Sequence, residues 1–144
     1  MSDALRDRAL RLLARREHCR TELREKLLAQ AEGGEVDALL DQLEASGLLS
    51  DRRFAESYVA ARRGRYGMLR LRHALHGKGV AHALIDEVLA AESGDDLALA
   101  RQLWQRKFPA PPNDAREYAR QARFLQSRGF AGDLVRRILR DRGE

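Results

Sequence analysis

Apolar side chains recur along the chain at the spacing of an α-helix. Leu5, Ala9 and Leu12 follow one another at intervals of four and three, and Phe54 and Tyr58 are again four positions apart. Side chains at these intervals lie on one face of a helix, which can then be buried. No segment of useful length alternates apolar and polar positions, as a half-buried strand would. The pattern therefore predicts an all-α protein.

One helical unit recurs three times. Residues 73–89, HALHGKGVAHALIDEVL, match residues 123–139, RFLQSRGFAGDLVRRIL, at an offset of 50 without a gap. In both segments a basic residue and a glycine precede an apolar residue and an amphipathic stretch. A weaker first copy, LREKLLAQAEGGEVDALLDQL, has a longer turn that contains two glycines. Such self-similarity is the signature of repeat architectures, so we predict tandem repeats over 1–47, 48–93 and 94–144.

Each repeat is predicted to contain three helices. The predicted spans are 4–16, 20–30 and 36–46, then 51–64, 68–77 and 81–91, and finally 96–107, 114–127 and 132–141. Ser50 is a predicted N-cap, and Asn113 or Asp114 is predicted to cap the helix after the proline-rich segment PAPPN. Gly79 and Gly129 can adopt a positive φ, which ends a helix and turns the chain sharply. The repeats should therefore resemble helix-turn-helix units joined into an elongated, curved body.

The net charge of +5 is spread unevenly along the chain. Residues 1–50 contain 8 Lys and Arg against 10 Asp and Glu, whereas residues 101–144 contain 11 against 5. A basic second half suits a polyanionic partner better than a membrane. A solvated face that keeps the protein soluble would have the same composition, and composition alone leaves both interpretations open.

Several sequence motifs are informative when they are taken together. The pattern EL-x-x-KL begins at Glu22, and GLLSDRRFAESYV at 47–59 combines a glycine, an apolar pair, an acid and Arg-Phe-Ala. These motifs resemble those of the RecX family, bacterial regulators of the RecA recombinase. Gly67 and LRLRHALHGKGV at 69–80 are similar to its next segment, and the resemblance covers about residues 5 to 141. The chain departs from the family at Cys19, where serine is common, and in the GGE insertion of the first turn.

The resemblance implies a non-enzymatic regulator built of tandem three-helix units. Family members bind along the groove of the RecA–DNA filament and contact single- and double-stranded DNA. They reduce ATP hydrolysis, strand exchange and coprotease activity of RecA in recombination, DNA repair and the SOS response. It follows as an expectation that this chain acts as a monomer in the cytoplasm, without a cofactor.

Basic residues in the second and third repeats are the candidate contacts with nucleic acid or with the filament. Arg116, Arg120 and Arg123 are spaced to form one stripe of a helix, opposite Tyr118 and Leu125. Guanidinium groups pair bidentately with phosphate, and an aromatic side chain among them could stack on a base. The candidates are Arg62, Arg63, Arg65, Arg70, Arg72, Lys78, Arg116, Arg120, Arg123, Arg128, Arg136, Arg137 and Arg140.

Structural roles compete with binding at some of these positions. Arg62 and Arg63 end a predicted helix, where a cation interacts favourably with the helix dipole in the absence of any ligand. Tyr66, which lies among the basic residues of the second repeat, could instead be an ordinary packed aromatic. Some of the arginines could meet an acidic protein surface rather than phosphate.

Catalytic and metal-binding residues are not indicated. His18, His73, His76 and His82 are predicted at helix ends or on polar faces, without a nucleophile or an orienting acid nearby. No Cys and His cluster has metal-ligand spacing, and the single Cys19 cannot form an internal disulfide. No run of apolar residues is long enough to span a membrane.

Three further sequence features have local interpretations. The GKG string at 77–79 lacks the rest of a phosphate-binding loop, so it is interpreted as a turn. Trp104 and Phe108 have helical spacing and are predicted to belong to the core.

Two other functions are considered. A helix-turn-helix repressor would carry polar readers such as Asn or Gln at the start of its recognition helix. The segments 81–91 and 132–141 begin with Ala, His, Gly and Asp, so this function ranks lower. A pure protein-interaction scaffold would differ from a DNA-contacting regulator in the salt dependence of DNA binding.

Overall fold

The computed structural model of the protein describes residues 3–92 and 94–141. Within these residues the secondary structure is helical, with nine α-helices and no strand, which confirms the predicted all-α class. The helices are α1 Asp3–Arg15, α2 Arg20–Leu27, α3 Gly33–Ala45, α4 Asp51–Arg62, α5 Met68–Gly77, α6 His82–Ala90, α7 Asp96–Lys107, α8 Ala115–Ser127 and α9 Gly132–Asp141.

The largest departure from the predicted helix bounds lies between α2 and α3. Helix α2 ends at Leu27 instead of 30, and α3 begins at Gly33 instead of 36. The carboxylate of Glu32 accepts a hydrogen bond of 2.8 Å from the backbone N–H of Glu35 and caps α3. Because an acid can satisfy an open N–H group in the first turn, the two glycines that were predicted as a loop start the helix instead.

Side-chain caps begin several of the other helices. The Ser50 hydroxyl accepts a hydrogen bond of 3.1 Å from the Arg53 N–H, as predicted. Asp114, the second of the two predicted candidates, accepts one of 2.7 Å from the Glu117 N–H at the start of α8. Asp95 caps α7. Cys19 precedes α2 without a side-chain cap, which agrees with the weak hydrogen-bonding capacity of a thiol.

The two glycine turns predicted from the repeat are confirmed. Gly79 and Gly129 have φ angles of +85° and +93°. The N–H groups of Val80 and Phe130, one residue later, donate to the carbonyl five residues back at 3.2 and 3.3 Å. This is the Schellman motif, in which a left-handed glycine closes a helix and satisfies its last carbonyl groups. Gly47, with φ of +81°, ends α3 in the same way, and this turn was not predicted.

The chain divides into two compact units, Met1–Tyr58 with Leu75–Val88 and Val59–Ala74 with Leu89–Glu144. In the first unit, α2 packs against both α1 and α3 around a leucine-rich core. Its buried residues are Leu5, Ala9, Leu23, Leu27, Val36, Leu39, Leu40, Leu43 and Leu49. The boundaries of the three repeats, at 47/48 and 93/94, stay a prediction.

A tight turn-to-helix contact also stabilises the first unit. A Cβ atom built on Gly79 would lie 2.5 Å from the hydroxyl oxygen of Thr21 in α2. The Cys19 thiol, which is fully buried, donates to the carbonyl oxygen of Lys78 at 3.3 Å. Burial raises the pKa of this thiol, so it stays protonated and serves as a donor. The glycine is needed here for its missing side chain as well as for its positive φ.

In the second unit, α7, α8 and α9 pack against one another. The core residues are Ala100, Trp104, Phe108, Leu125, Phe130, Val135, Ile138 and Leu139, which confirms the core assignment of the tryptophan and Phe108. The indole N–H of Trp104 donates to the side-chain oxygen of fully buried Gln121 at 2.7 Å. A buried indole is tolerated when its N–H finds such a partner.

The second unit has a turn-to-helix contact of its own. The N–H groups of Gly67 and Leu69, at the start of α5, donate to the carbonyl oxygens of Arg128 and Gly129 at 2.7 and 3.2 Å. A Cβ atom on Gly129 would lie 2.6 Å from the backbone nitrogen of Arg70. The start of α5 and the turn between α8 and α9 are therefore in direct backbone contact, and this contact positions the site described next.

Candidate nucleic-acid interface

The thirteen basic residues selected from the sequence differ in exposure. Eight are exposed: Arg65, Arg70, Arg116, Arg120, Arg123, Arg136, Arg137 and Arg140. Four are half-buried: Arg62, Arg72, Lys78 and Arg128. Arg63 is buried. Exposure of most of these side chains is a condition for the predicted contacts, and the contacts themselves stay a prediction.

Arg63 supports the loop that precedes α5. Its side chain is 9% exposed, and its guanidinium lies 2.6 Å from the carboxylate of Asp96. It also donates to the carbonyl oxygen of Tyr66 at 3.0 Å, and the Met68 N–H donates to the Asp96 carboxylate at 3.2 Å. A buried arginine requires such a charged partner. Arg63 therefore stabilises the loop before α5 from the interior of the unit, and it is not one of the exposed basic residues.

Three arginines surround the ring of Tyr66. The guanidinium carbons of Arg70, Arg65 and Arg128 lie 4.0, 5.6 and 5.7 Å from the ring centroid, within cation–π distance. Arg70 is also fixed by a hydrogen bond of 2.9 Å from its guanidinium to the carbonyl oxygen of Ser127. We call these four residues the Tyr66 cluster. The structure thus brings together three of the predicted residues with the aromatic predicted between them.

The positive charge of the Tyr66 cluster is not compensated within the described part of the chain. None of its three arginines forms an ion pair with a carboxylate of residues 3–92 or 94–141. Like charges held close together repel one another, and an anion placed between them would relieve the repulsion. The arrangement is therefore chemically suited to binding phosphate through guanidinium donors.

The basic surface continues onto α8. The guanidinium of Arg128 lies 5.2 Å from the ring of Phe124 as well as beside Tyr66. Further along, the guanidinium of Arg120 lies 4.9 Å from the ring of Phe108. Arg120 and Arg128 thus pack over rings that belong to the core or line it, and these contacts help to orient the two guanidinium groups.

The predicted stripe of Arg116, Arg120 and Arg123 is exposed on α8, and Tyr118 and Leu125 on the opposite side pack into the core. The two faces were predicted correctly, but the arginines differ in their partners. Arg116 and Arg123 have no carboxylate partner within the described residues, whereas Arg120 pairs with a neighbouring acid.

Glu117 is that acid. The Arg120 guanidinium donates to its two carboxylate oxygens at 3.0 and 2.8 Å, and the amide of Gln121 donates to it at 3.0 Å. These hydrogen bonds, with that from Arg120 the strongest cause, lower the pKa of Glu117 to about 2. Part of the charge of Arg120 is therefore already matched, so Arg116 and Arg123 are the stronger candidates for an external anion.

The remaining candidates have other surroundings. On α9, Arg136, Arg137 and Arg140 are exposed while Val135 and Ile138 are buried, as the pattern predicted. In the first unit, the ammonium group of Lys78 lies 5.9 Å from the ring of Tyr58. Arg62 and Arg72 are half-buried and have partners of their own.

His18 lies at helix ends, between α1 and α2, which is one of the two predicted placements, but its side chain is buried and not on a polar face. Its side chain is buried between α1 and α2, where Nδ1 lies 3.1 Å from the carbonyl oxygen of Arg16 and Nε2 lies 2.9 Å from the ammonium of Lys26. Burial lowers the pKa of His18, which favours the neutral ring that accepts a hydrogen bond from the lysine. The residue is part of the fold of the first unit.

Two further features of residues 3–92 and 94–141 bear on other classes of site. They contain no group of three or more His, Cys, Asp or Glu side chains placed to hold a metal ion. None of their helices combines the length and apolar character that a membrane span requires.

One exposed apolar side chain near the Tyr66 cluster was not predicted. Leu69, at the second position of α5, is 52% exposed. Helical spacing would have found it, because Leu71 and Leu75 form the buried face of α5 and position 69 lies off that face.

Known proteins resemble the chain over most of its length. Family models for the three three-helix domains of RecX match residues 6–43, 50–89 and 94–139. The Regulatory protein RecX of Leptothrix cholodnii is 47% identical over 138 residues, covering 95% of this chain and 88% of that protein. The Regulatory protein RecX of Halorhodospira halophila is 50% identical over 139 residues, covering 94% and 86%.

A solved structure shares the fold. The crystal structure of RecX from Lactobacillus salivarius matches with a TM-score of 0.79 at 19% identity, and the match covers 95% of this chain and 93% of that chain. The resemblance found in the sequence and the predicted architecture of three three-helix units are thereby confirmed.

Proposed function

This chain belongs to the RecX family of regulatory proteins, and on that basis we propose that it binds the RecA–DNA filament and lowers the activity of RecA. In this proposal it acts as a cytoplasmic monomer, catalyses no reaction itself, and reduces ATP hydrolysis, strand exchange and coprotease activity. Three repeats, at 1–47, 48–93 and 94–144, form its body, and the three matching family domains support this division.

The observation that supports the proposal is the uncompensated basic surface of the second unit. Arg65, Arg70 and Arg128 around Tyr66, with Arg116 on α8, lack carboxylate partners among the described residues. A nucleoprotein filament presents a dense array of phosphates, and binding arginines to phosphates releases counterions. Several weak contacts made by one folded unit add up to a useful affinity.

The first test compares binding partners. Fluorescence anisotropy of the labelled protein should show much tighter binding to the RecA–single-stranded DNA filament than to RecA alone. Steady-state ATP hydrolysis by the filament should fall as the protein is added. Equal binding to free RecA and filament, or unchanged hydrolysis at saturation, would contradict the proposal.

The second test concerns the arginine stripe of α8. Replacing Arg116, Arg120 and Arg123 by alanine should flatten the dependence of duplex binding on salt, by roughly 0.9 logarithmic units for each phosphate that is no longer neutralised. Arg24→Ala is the matched control, because the Arg24 side chain is 43% exposed but pairs with Asp37 at 2.8 Å. A slope that the stripe variant shares with the wild type would show that the stripe is only solvated surface.

A further inference from the structure

We propose that the Tyr66 cluster binds an unstacked base together with its phosphate, which gives the protein a preference for single-stranded over duplex DNA. The inference rests on the proposed function, since it identifies which form of DNA one part of the basic surface recognises. Tyr66 and Arg70 would carry the contact with the base, and Arg65 and Arg128 the contact with phosphate.

The stacking platform is the pair of Tyr66 and Arg70. The guanidinium carbon of Arg70 lies 4.0 Å from the ring centroid, and its hydrogen bond to the carbonyl oxygen of Ser127 fixes it there. Bases stack on aromatic rings and on planar guanidinium groups. Within a duplex each base is already stacked on both faces, so only an unstacked base can extend this pair.

Arg65 and Arg128 supply the charge for the phosphate attached to such a base. Their guanidinium carbons lie 5.6 and 5.7 Å from the centroid of the same ring, and neither has a carboxylate partner among residues 3–92 and 94–141. Phosphate on the strand lies close to its base, so cations beside the ring can reach it. Leu69, which precedes Arg70 in α5, is also exposed and adds apolar surface to the start of this helix.

The loop that presents Tyr66 is held in place before any ligand arrives. Buried Arg63 donates to the carbonyl oxygen of Tyr66 at 3.0 Å and pairs with Asp96. The following residue, Gly67, donates its N–H to the carbonyl oxygen of Arg128 at 2.7 Å, and a Cβ atom there would lie 2.5 Å from the carbonyl oxygen of Gly129. A prearranged site avoids the entropic cost of ordering a loop on binding.

The test measures affinity for three DNA ligands at one salt concentration: a short single strand, the same strand with abasic sites, and a hairpin duplex. Tyr66→Ala should weaken binding of the intact single strand by roughly five- to a hundredfold, the usual contribution of one stacked base. Binding of the abasic strand and of the duplex should change little. Tyr66→Phe retains the ring and should behave like the wild type.

A second variant keeps the inference testable if Tyr66→Ala does not fold, which thermal unfolding would reveal. Arg70→Lys retains the charge and removes the planar group, so it should reduce the preference for single strands and leave duplex binding intact. Arg116→Ala is the matched control, because removing a cation that faces phosphate should weaken binding of all three ligands alike.

The outcomes separate this inference from the proposed function. The base contact alone would be overturned if the wild type binds the filament and DNA but the two variants, Tyr66→Ala and Arg70→Lys, show no selective effect. That result would be binding of single strand and duplex that is weakened equally or not at all. A wild-type protein that binds neither the filament nor any of the three DNA ligands would overturn both.

Discussion

Replacing Gly129 by alanine should destabilise the second unit by about 2–5 kcal/mol, the sum of two costs. The φ angle of +93° is left-handed backbone, which costs an alanine about 1–2 kcal/mol. The new Cβ would also press against the Cβ of Arg70 and lie 2.6 Å from its backbone nitrogen. Because a helix backbone cannot rotate away as a side chain can, α5 or the turn has to shift, at a cost of roughly 1–3 kcal/mol.

The assay is unfolding in urea, monitored by the fluorescence of the single tryptophan, Trp104, which lies in the core of the same unit. Gly64→Ala is the matched control in this unit, since a Cβ there meets nothing within 4 Å and its φ is not left-handed. Gly47→Ala measures the cost of the left-handed backbone alone, because Gly47 has a φ of +81° and open space around it. Its unfolding in urea is monitored by circular dichroism.

The comparison among the three variants decides the reasoning. The expected order of destabilisation is Gly129→Ala first, Gly47→Ala second and Gly64→Ala near wild type. If Gly129→Ala and Gly47→Ala lower the free energy of unfolding by the same amount, the close approach to Arg70 contributes nothing and the turn-to-helix contact is not rigid. If Gly129→Ala unfolds at the same urea concentration as Gly64→Ala, both parts of the argument fail.

Three further predictions concern groups on or beneath the basic surface. Trp104→Phe should lower the free energy of unfolding by about 1–3 kcal/mol, because it leaves the buried side-chain oxygen of Gln121 without the indole N–H that donates to it. The measurement is urea unfolding monitored by circular dichroism, and an unchanged unfolding midpoint would show that the hydrogen bond contributes nothing. Arg63→Met should cost about 3–5 kcal/mol by leaving Asp96 without its cation, and adding Asp96→Asn should recover part of that stability, whereas additive effects would exclude the ion pair as the cause. The pKa of Glu117, about 2 in the fold against an ordinary 4.5, means that its ionised carboxylate stabilises the protein above pH 4.5, and that this stabilisation disappears as the pH falls towards 2. The difference in unfolding free energy between the wild type and Glu117→Gln should therefore shrink as the pH falls through that range. Stability that depends on pH in the same way for both proteins would contradict the prediction.

The features that were predictable from the sequence are local ones. Helical spacing identified the buried faces of α8 and α9, because which side of an amphipathic helix is buried follows from its own residues. The turns at Gly79 and Gly129 were likewise evident, since a glycine between two amphipathic segments has few other uses.

The features that were not predictable depend on partners distant in the sequence. Arg62 and Arg63 are equivalent as residues at the end of a helix, yet Arg63 is buried because Asp96, from α7, lies beside it. His18 was predicted at a helix end or on a polar face, and only the position of Lys26 and the packing around the ring show that it is buried. The spacing of charges along the chain does not reveal which cation has a carboxylate in reach.

The Tyr66 cluster is a consequence of how a turn meets a helix start, and the two units allow a comparison. In both, the carbonyl of a basic residue before a left-handed glycine accepts a hydrogen bond from a residue just before a helix. The thiol of Cys19 donates to the carbonyl of Lys78, and the backbone N–H of Gly67 donates to the carbonyl of Arg128.

What differs is the charge at that helix start. In the first unit, Thr21 at the start of α2 lies against Gly79. The next residue, Glu22, pairs its carboxylate with Arg16 at 2.6 Å. In the second unit the glycine meets Arg70, so the corresponding turn-to-helix contact gathers cations around an aromatic ring instead of pairing opposite charges. The carbonyl before the glycine has a donor in both units without any contribution from residue 70. Arg70 is therefore not needed for that contact, and the proposed stacking of a base on Tyr66 and Arg70 would give its planar group a role in binding.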